Sequence, residues 1–366
     1  MSDVVLTGIS ADSELMFFDQ DGASDKASYS FYRGGRSGFH PTDRSISSTR
    51  VLRYFFDGLT PTEPCVGAAT PIVAFGSCFA GHISNYLHDI GYNVANKRHR
   101  AAYVASMGDG IVNTFALRQQ FEWAWEAQQP AVELWHGYDA RALGYDEDVR
   151  LDTKDLFDGA QTFIITLGLS EVWYDKPTGE VFWRAVPADR FDPDRHQFRV
   201  ASYEENLSNL RAICRLIRTH RPDACIIFTL SPIPLKATFR DMPCVSANAV
   251  SKAILRAALD ELLRGAAEEE RLFYFPSYEV ALNAFSHPFM EDRRHVHKHV
   301  LDFNMAAFER FYCRTGMTDD TLLQRFRAAQ ALDREVVQHG HWAVPRANLL
   351  FHQPPSGARR VDHSAD

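Results

Sequence analysis

Ile72-Val73-Ala74-Phe75-Gly76-Ser77-Cys78-Phe79-Ala80-Gly81 is an apolar run that stops on a glycine and then delivers two small, nucleophile-type residues before a second apolar pattern begins. The pattern predicts a strand, a tight turn and the first turn of a helix. Four apolar residues after Pro71 suit a buried parallel strand, and Gly76 can take the positive φ that a sharp strand-to-helix turn demands. Ser77 and Cys78 then fall at a helix N-terminus, where unpaired backbone N–H groups and the positive end of the dipole stabilise a thiolate or an oxyanion. A nucleophile belongs in such a place. A purely structural reading instead makes Ser77 an N-cap and Cys78 a small buried hydrophobe. Ile83, Tyr86, Leu87 and Ile90 recur at helical spacing and Gly91 follows as a stop, so a helix is expected from Cys78 to Ile90.

The same layout returns at Thr162-Phe163-Ile164-Ile165-Thr166-Leu167-Gly168-Leu169-Ser170-Glu171, a β-branched run that ends on glycine and then on polar residues. Ala224–Leu230, closed by Ser231-Pro232-Ile233-Pro234, and Arg271–Ser277 read as two further buried strands. Ser202-Tyr203-Glu204-Glu205 is a capping box that opens a packing helix. In parallel α/β sheets the reactive groups gather beyond the carboxyl ends of the strands, so these glycine-ended runs should converge on one crevice.

Glu291-Asp292-Arg293-Arg294-His295-Val296-His297-Lys298-His299 is the third chemical stretch. Asp292 and His295 have a spacing that lets one short loop hold both a base and the carboxylate that orients it. His295, His297 and His299 also alternate as they would on one face of a strand, which suits a His₃ metal site. No matching Glu or Cys ligand stands out elsewhere, so no metal and no cofactor is expected.

The FGSCFA stretch resembles the signature of the GSCFA-domain family, which looks like a branch of the SGNH (GDSL-like) hydrolases. Gly76-Ser77-Cys78 would overlay the Gly-Asp-Ser of those enzymes, with the cysteine at the nucleophile's place; a shift of one residue puts Ser77 there, and both stand as candidates. By the same resemblance the turn around Gly108 and Gly110 supplies a glycine N–H to an oxyanion hole. Gly168-Leu169-Ser170-Glu171 is similar to the Gly-x-Asn-Asp block, Ser170 replacing an asparagine amide with a hydroxyl that donates one hydrogen bond. Asp292 and His295 match the final Asp-x-x-His block, although Val296 departs from the family's His-Pro. The runs Ser231–Thr238 and Asn248–Ala253 are also similar to GSCFA sequences. The resemblance spans Pro71 to about Arg314. It implies acyl-ester hydrolysis or acyl transfer on a small-molecule or glycan ester. The alternative is a non-catalytic ligand-binding or scaffolding protein on the same frame.

Composition bounds the rest. The chain has 366 residues, a formal charge of −8, 45% apolar and 23% charged residues, and no basic cluster beyond Lys97-Arg98-His99-Arg100, which argues against a nucleic-acid surface. Neither a signal peptide nor a membrane span is visible, and six scattered cysteines without a C-x-x-C pair read as free thiols in a reducing compartment, so a cytoplasmic protein is expected. The fold expected is a three-layer α/β/α sandwich with a mainly parallel sheet of roughly five strands. It occupies residues 69–315, behind a partly irregular arm (1–68) and ahead of a C-terminal helix and disordered tail (316–366).

Overall fold

A computed structural model describes residues 15–18, 24–27, 40–47, 49–99, 101–107, 110–132, 135–137, 140–266 and 271–344. The expected disordered tail and Gly108 lie outside the described residues. In the arm, strands β1 (Leu15–Phe18) and β2 (Ser24–Ala27) pair antiparallel. Helices α1 (Asp43–Ile46) and α2 (Val51–Phe56) follow, and α2 buries Val51, Leu52, Phe55 and Phe56. The arm therefore contributes to the core.

The opening apolar run becomes β3 (Ile72–Phe75), and α3 (Cys78–Asp89) begins two residues after it. Gly76 makes this turn possible. Its φ is +131°, and a Cβ there would sit 2.1 Å from the Thr166 carbonyl oxygen, so the backbones of two strands meet where only glycine fits. After α4 (Tyr103–Ser106), α5 (Thr114–Glu126) and α6 (Glu147–Gly159), the chain returns as β4 (Thr162–Leu167). β5 (Glu171–Asp175) and β6 (His196–Val200) pair antiparallel, and α7 (Tyr203–His220), opened by the expected capping box, leads to β7 (Cys225–Leu230). α8 (Cys244–Arg264) then crosses to β8 (Leu272–Phe275), followed by α9 (Ser277–Asn283), α10 (Lys298–Tyr312) and α11 (Asp319–His339).

The main sheet is parallel with order β3-β4-β7-β8. Among the described residues it has four strands, where roughly five were expected; β5 and β6 form a separate two-stranded sheet. Alternation along the strands sorts the core into two clusters. Val73, Phe75, Phe163, Ile165, Ile226 and Phe228 pack with α5, α6, α7 and α8, whereas Ile72, Ala74, Ile164, Ile227 and Phe275 pack with α2, α3, α9, α10 and α11. Burial on both faces is why these strands read as continuous apolar runs. Helix α11 supplies Leu322, Leu323, Phe326 and Ala329 to the second cluster, so it packs into the core of the unit that precedes it.

The ends of the unit meet. Val66 donates to the Tyr312 carbonyl at 2.9 Å and accepts from the Arg314 N–H at 2.7 Å, and the neighbouring Cys65 Sγ lies 2.6 Å from Sγ of Cys225, the first residue of β7. All six cysteines are free thiols. No helix among the described residues is long and apolar enough to cross a membrane.

Candidate active site

The β3–α3 turn assigns different jobs to its two small residues. Ser77 has extended backbone and caps α3, its Oγ accepting the Phe79 N–H at 3.2 Å, while its own N–H donates to the Thr166 carbonyl at 3.2 Å. It also bridges to Gly110 and is only 4% exposed. Cys78, the first residue of α3, is half-buried. The serine is thus occupied as a cap, and the cysteine has the better access at the positive end of the helix.

The Asp292–His295 loop is pinned in place before α10. Met290 N–H donates to the His295 carbonyl at 2.7 Å, Arg293 N–H donates to the Met290 carbonyl at 2.8 Å, and Phe289 bridges to Val296. Arg293 takes a left-handed φ of 56° to close the turn. Asp292 Oδ1 accepts the N–H groups of Arg294 and His295, each at 3.0 Å, and its Oδ2 hydrogen-bonds His295 Nδ1. Burial opposes ionisation of Asp292, but those two N–H groups and the ring outweigh it and hold the carboxyl below its ordinary range. An ionised carboxylate only accepts, so Nδ1 carries the proton and Nε2 is left as the basic nitrogen.

His82 ties this loop to the turn. It lies four residues after Cys78 on α3, hence on the same helix face. Burial, and after it the charge of His295, pushes the His82 ring down to about 4. The loop packs near that helix: Val296, next to His295, shares a core cluster with Phe79 and Ile83 of α3. Sequence reasoning missed His82, although its spacing from Cys78 was the available signal.

The described residues expected to form an oxyanion hole, Gly110, Gly168 and Ser170, are engaged within the fold. Gly110 N–H donates to the Met107 carbonyl at 2.8 Å and Gly168 N–H to the Val112 carbonyl at 2.9 Å. Ser170 is fully buried; its N–H donates to Ser251 Oγ at 2.8 Å, and the two hydroxyls lie 3.2 Å apart. Glu171 accepts Thr238 Oγ1–H on both carboxylate oxygens, at 3.0 and 2.8 Å, and burial still pushes its carboxyl upward. Next to Ser251, the buried Lys252 donates to the carbonyls of Gly168 at 2.7 Å and Ser231 at 2.8 Å, binding the ends of β4 and β7 together.

Beside these strand ends opens a cavity of about 300 Å³, lined by Val112, Leu169, Glu171, Trp173, Arg184, Leu235 and Phe239 among others. The Trp173 and Phe239 rings form its aromatic wall, with centroids 4.8 Å apart. Arg184 links it to the turn, because its Nη1 lies 2.9 Å from where a Cβ on Gly110 would be, and Gly110 bridges to Ser77.

The alternating histidines do not converge on a metal. His297 is the N-cap of α10 and His299 is inside that helix, so strand alternation is absent. His297 Nε2 sits 3.1 Å from His341 Nδ1, His299 lies 3.8 Å from Asp333, and His295 is paired with Asp292. Among the described residues no group of three or more His, Cys, Asp or Glu is placed to hold a metal ion.

No curated protein matches the sequence. Residues 71–308 match the GSCFA family model, a span that holds the β3–α3 turn, the ends of β4 and β7 and the Asp292–His295 loop. That match covers well over half of the chain, which therefore belongs to the GSCFA family.

Proposed function

We propose that this chain is an SGNH-like acyl-ester hydrolase or O-acyltransferase in which Cys78 is the nucleophile, His295 its base and Asp292 the orienting carboxylate. The observation that carries this reading is the hydrogen-bonded Asp292–His295 pair beside Val296, which shares a core cluster with Phe79 and Ile83 of the helix that Cys78 opens. Helices on both faces of the parallel sheet support an SGNH-like three-layer frame. The six free thiols support a reducing, cytoplasmic setting.

In the first step His295 Nε2 takes the thiol proton and the Cys78 sulfur attacks the ester carbonyl carbon. The tetrahedral intermediate collapses to a thioester, and the departing alcohol leaves with the proton held by His295. Water or an acceptor hydroxyl then gives its proton to His295 and attacks the thioester, which releases the acid or a new ester and regenerates the thiol. The largely apolar cavity beside the turn suits the acyl portion of the substrate.

One observation favours a second reading, a ligand-binding protein without turnover. The Gly110 and Gly168 N–H groups and the Ser170 hydroxyl are committed within the fold instead of to an oxyanion. A panel of acyl esters assayed with wild type, Cys78→Ala, Ser77→Ala and His295→Ala separates the two. Enzymatic turnover should vanish in Cys78→Ala and His295→Ala and survive in reduced amount in Ser77→Ala. Undiminished turnover in both Cys78→Ala and Ser77→Ala would discard the covalent mechanism; binding without turnover in wild type would establish the second reading.

A further inference from the structure

Among the described residues Lys252 is the only lysine or arginine that is buried. It lies on the apolar stripe of α8 with Ala247, Leu255, Ala258 and Leu259, and only 2% of it is exposed. An ammonium ion taken out of water costs several kcal/mol unless it is paired, and dipoles alone compensate only part of this. Two of its three N–H bonds go to the Gly168 and Ser231 carbonyls at 2.7 and 2.8 Å, immediately beyond β4 and β7. Those carbonyls sit at the same sheet end as the nucleophile turn, because Ser77 N–H is bonded to Thr166, two residues before Gly168. Burial pushes the ammonium down to about 7, and the charge that opposes this is that of Cys78.

We propose that Lys252 is a positioning residue for Cys78: its buried ammonium supplies positive charge that stabilises the thiolate left when His295 takes the Cys78 proton, and its two carbonyl bonds fix the ends of β4 and β7 beside the turn that carries Cys78. The proposal rests on the reading of Cys78 as the nucleophile. It adds a cation from α8 that the Asp292–His295 pair does not provide. Ser251, one residue earlier, anchors the same helix to Ser170, so α8 grips the end of β4 through two consecutive side chains.

The test is the pH profile of Cys78 alkylation by iodoacetamide, read by mass spectrometry of the peptide that contains it, in wild type, Lys252→Met and Lys252→Arg. An adjacent opposite charge lowers a thiol pKa by about 1–3 units, so Lys252→Met should slow alkylation at pH 7 by roughly tenfold or more and move the profile to higher pH. Lys252→Arg should restore most of the rate. The reciprocal measurement needs no change at Lys252: by linkage, Cys78→Ala should lower the titration midpoint of the Lys252 Nζ, followed by ¹⁵N NMR, by the same number of units. That second readout stands if Lys252→Met does not fold. An unchanged alkylation profile in folded Lys252→Met, or the same Lys252 midpoint in wild type and Cys78→Ala, overturns the proposal. Neither readout uses an ester, so a shifted profile without ester turnover would refute the enzymatic function and leave the Lys252–Cys78 coupling in place.

Discussion

Substituting Gly76 tests the element on which the site is built. At Gly76→Ala the new Cβ would lie 2.1 Å from the Thr166 oxygen and 2.9 Å from the Thr166 carbonyl carbon and nitrogen. All three are backbone atoms of β4, so no side-chain rotamer relieves the clash. The φ of +131° adds strain of about 1–3 kcal/mol for any L side chain. Forcing the strands apart adds roughly 1–3 kcal/mol, and losing the Ser77–Thr166 hydrogen bond adds about 1 kcal/mol. The expected loss is therefore roughly 3–7 kcal/mol. Gly179→Ala is the control, because Gly179 also has a positive φ, +75°, but nothing within 4 Å of its added Cβ, and it should cost only about 1–2 kcal/mol. Urea unfolding followed by tryptophan fluorescence gives both values. If Gly76→Ala loses no more stability than Gly179→Ala, the close approach of β3 and β4 is not what requires glycine there.

Asp292→Asn keeps an oxygen for the N–H groups of Arg294 and His295, so it should fold normally yet lower kcat by roughly 10²-fold with little change in KM; an unaltered kcat would remove Asp292 from the mechanism. Phe239, 58% exposed, should matter to substrate more than to stability. In an acyl chain-length series, Phe239→Ala should weaken kcat/KM for long chains while Tm stays within a few degrees, and a uniform effect on every ester would detach the cavity from the acyl group. The His82 ring titrates near 4 in the folded protein and at 6.5 ordinarily. Between those values the unfolded chain binds the extra proton, so wild type loses stability as pH falls from 6.5 towards 4. His82→Gln should lose less over that window when Tm is measured at several pH values, and parallel curves would contradict the burial of a neutral ring. Asp333 is shifted in the same direction, at lower pH: burial opposes its ionisation, but His299 and the N–H groups of Ser286 and His287 hold it below 3.8. Its contribution is present above that value and fades below it, so Asp333→Asn should destabilise at neutral pH and converge on wild type in acid.

What was legible in the sequence was what is local or doubly buried. β3, β4, β7 and β8 announced themselves because strands covered on both faces carry little but apolar side chains, and α3 ended at Asp89, one residue before the expected Ile90. Asp292 and His295 were legible because three residues separate the partners and one loop holds both. Ser170 was not, because its neighbour Ser251 is 81 positions away and only folding reveals that the hydroxyl is taken. The metal alternation failed for a local reason: His297 caps a helix, and the period of two ends there. α2 escaped notice because six residues are too few to establish a period, although four of them are buried. Lys252 had a visible signal, a lysine on an apolar stripe, but the Gly168 and Ser231 carbonyls that hold it lie 84 and 21 positions away.

The pairing of Val66 with residues 312–314 also defines how force and attachments reach the molecule. Cys65 touches the first residue of β7, so this clasp sits at the amino ends of the strands, whereas the crevice lies beyond their carboxyl ends. A six-residue strand such as β7 separates the two by roughly 20 Å. A pull applied beside the clasp, at residues 65 and 315, loads the two Val66 hydrogen bonds first, whereas a pull from farther out must first draw α2 or α11 from the core. The β3–α3 turn, the Lys252 junction and the Asp292–His295 loop all lie between those bonds in the chain, so such a pull reaches them only after the clasp gives way.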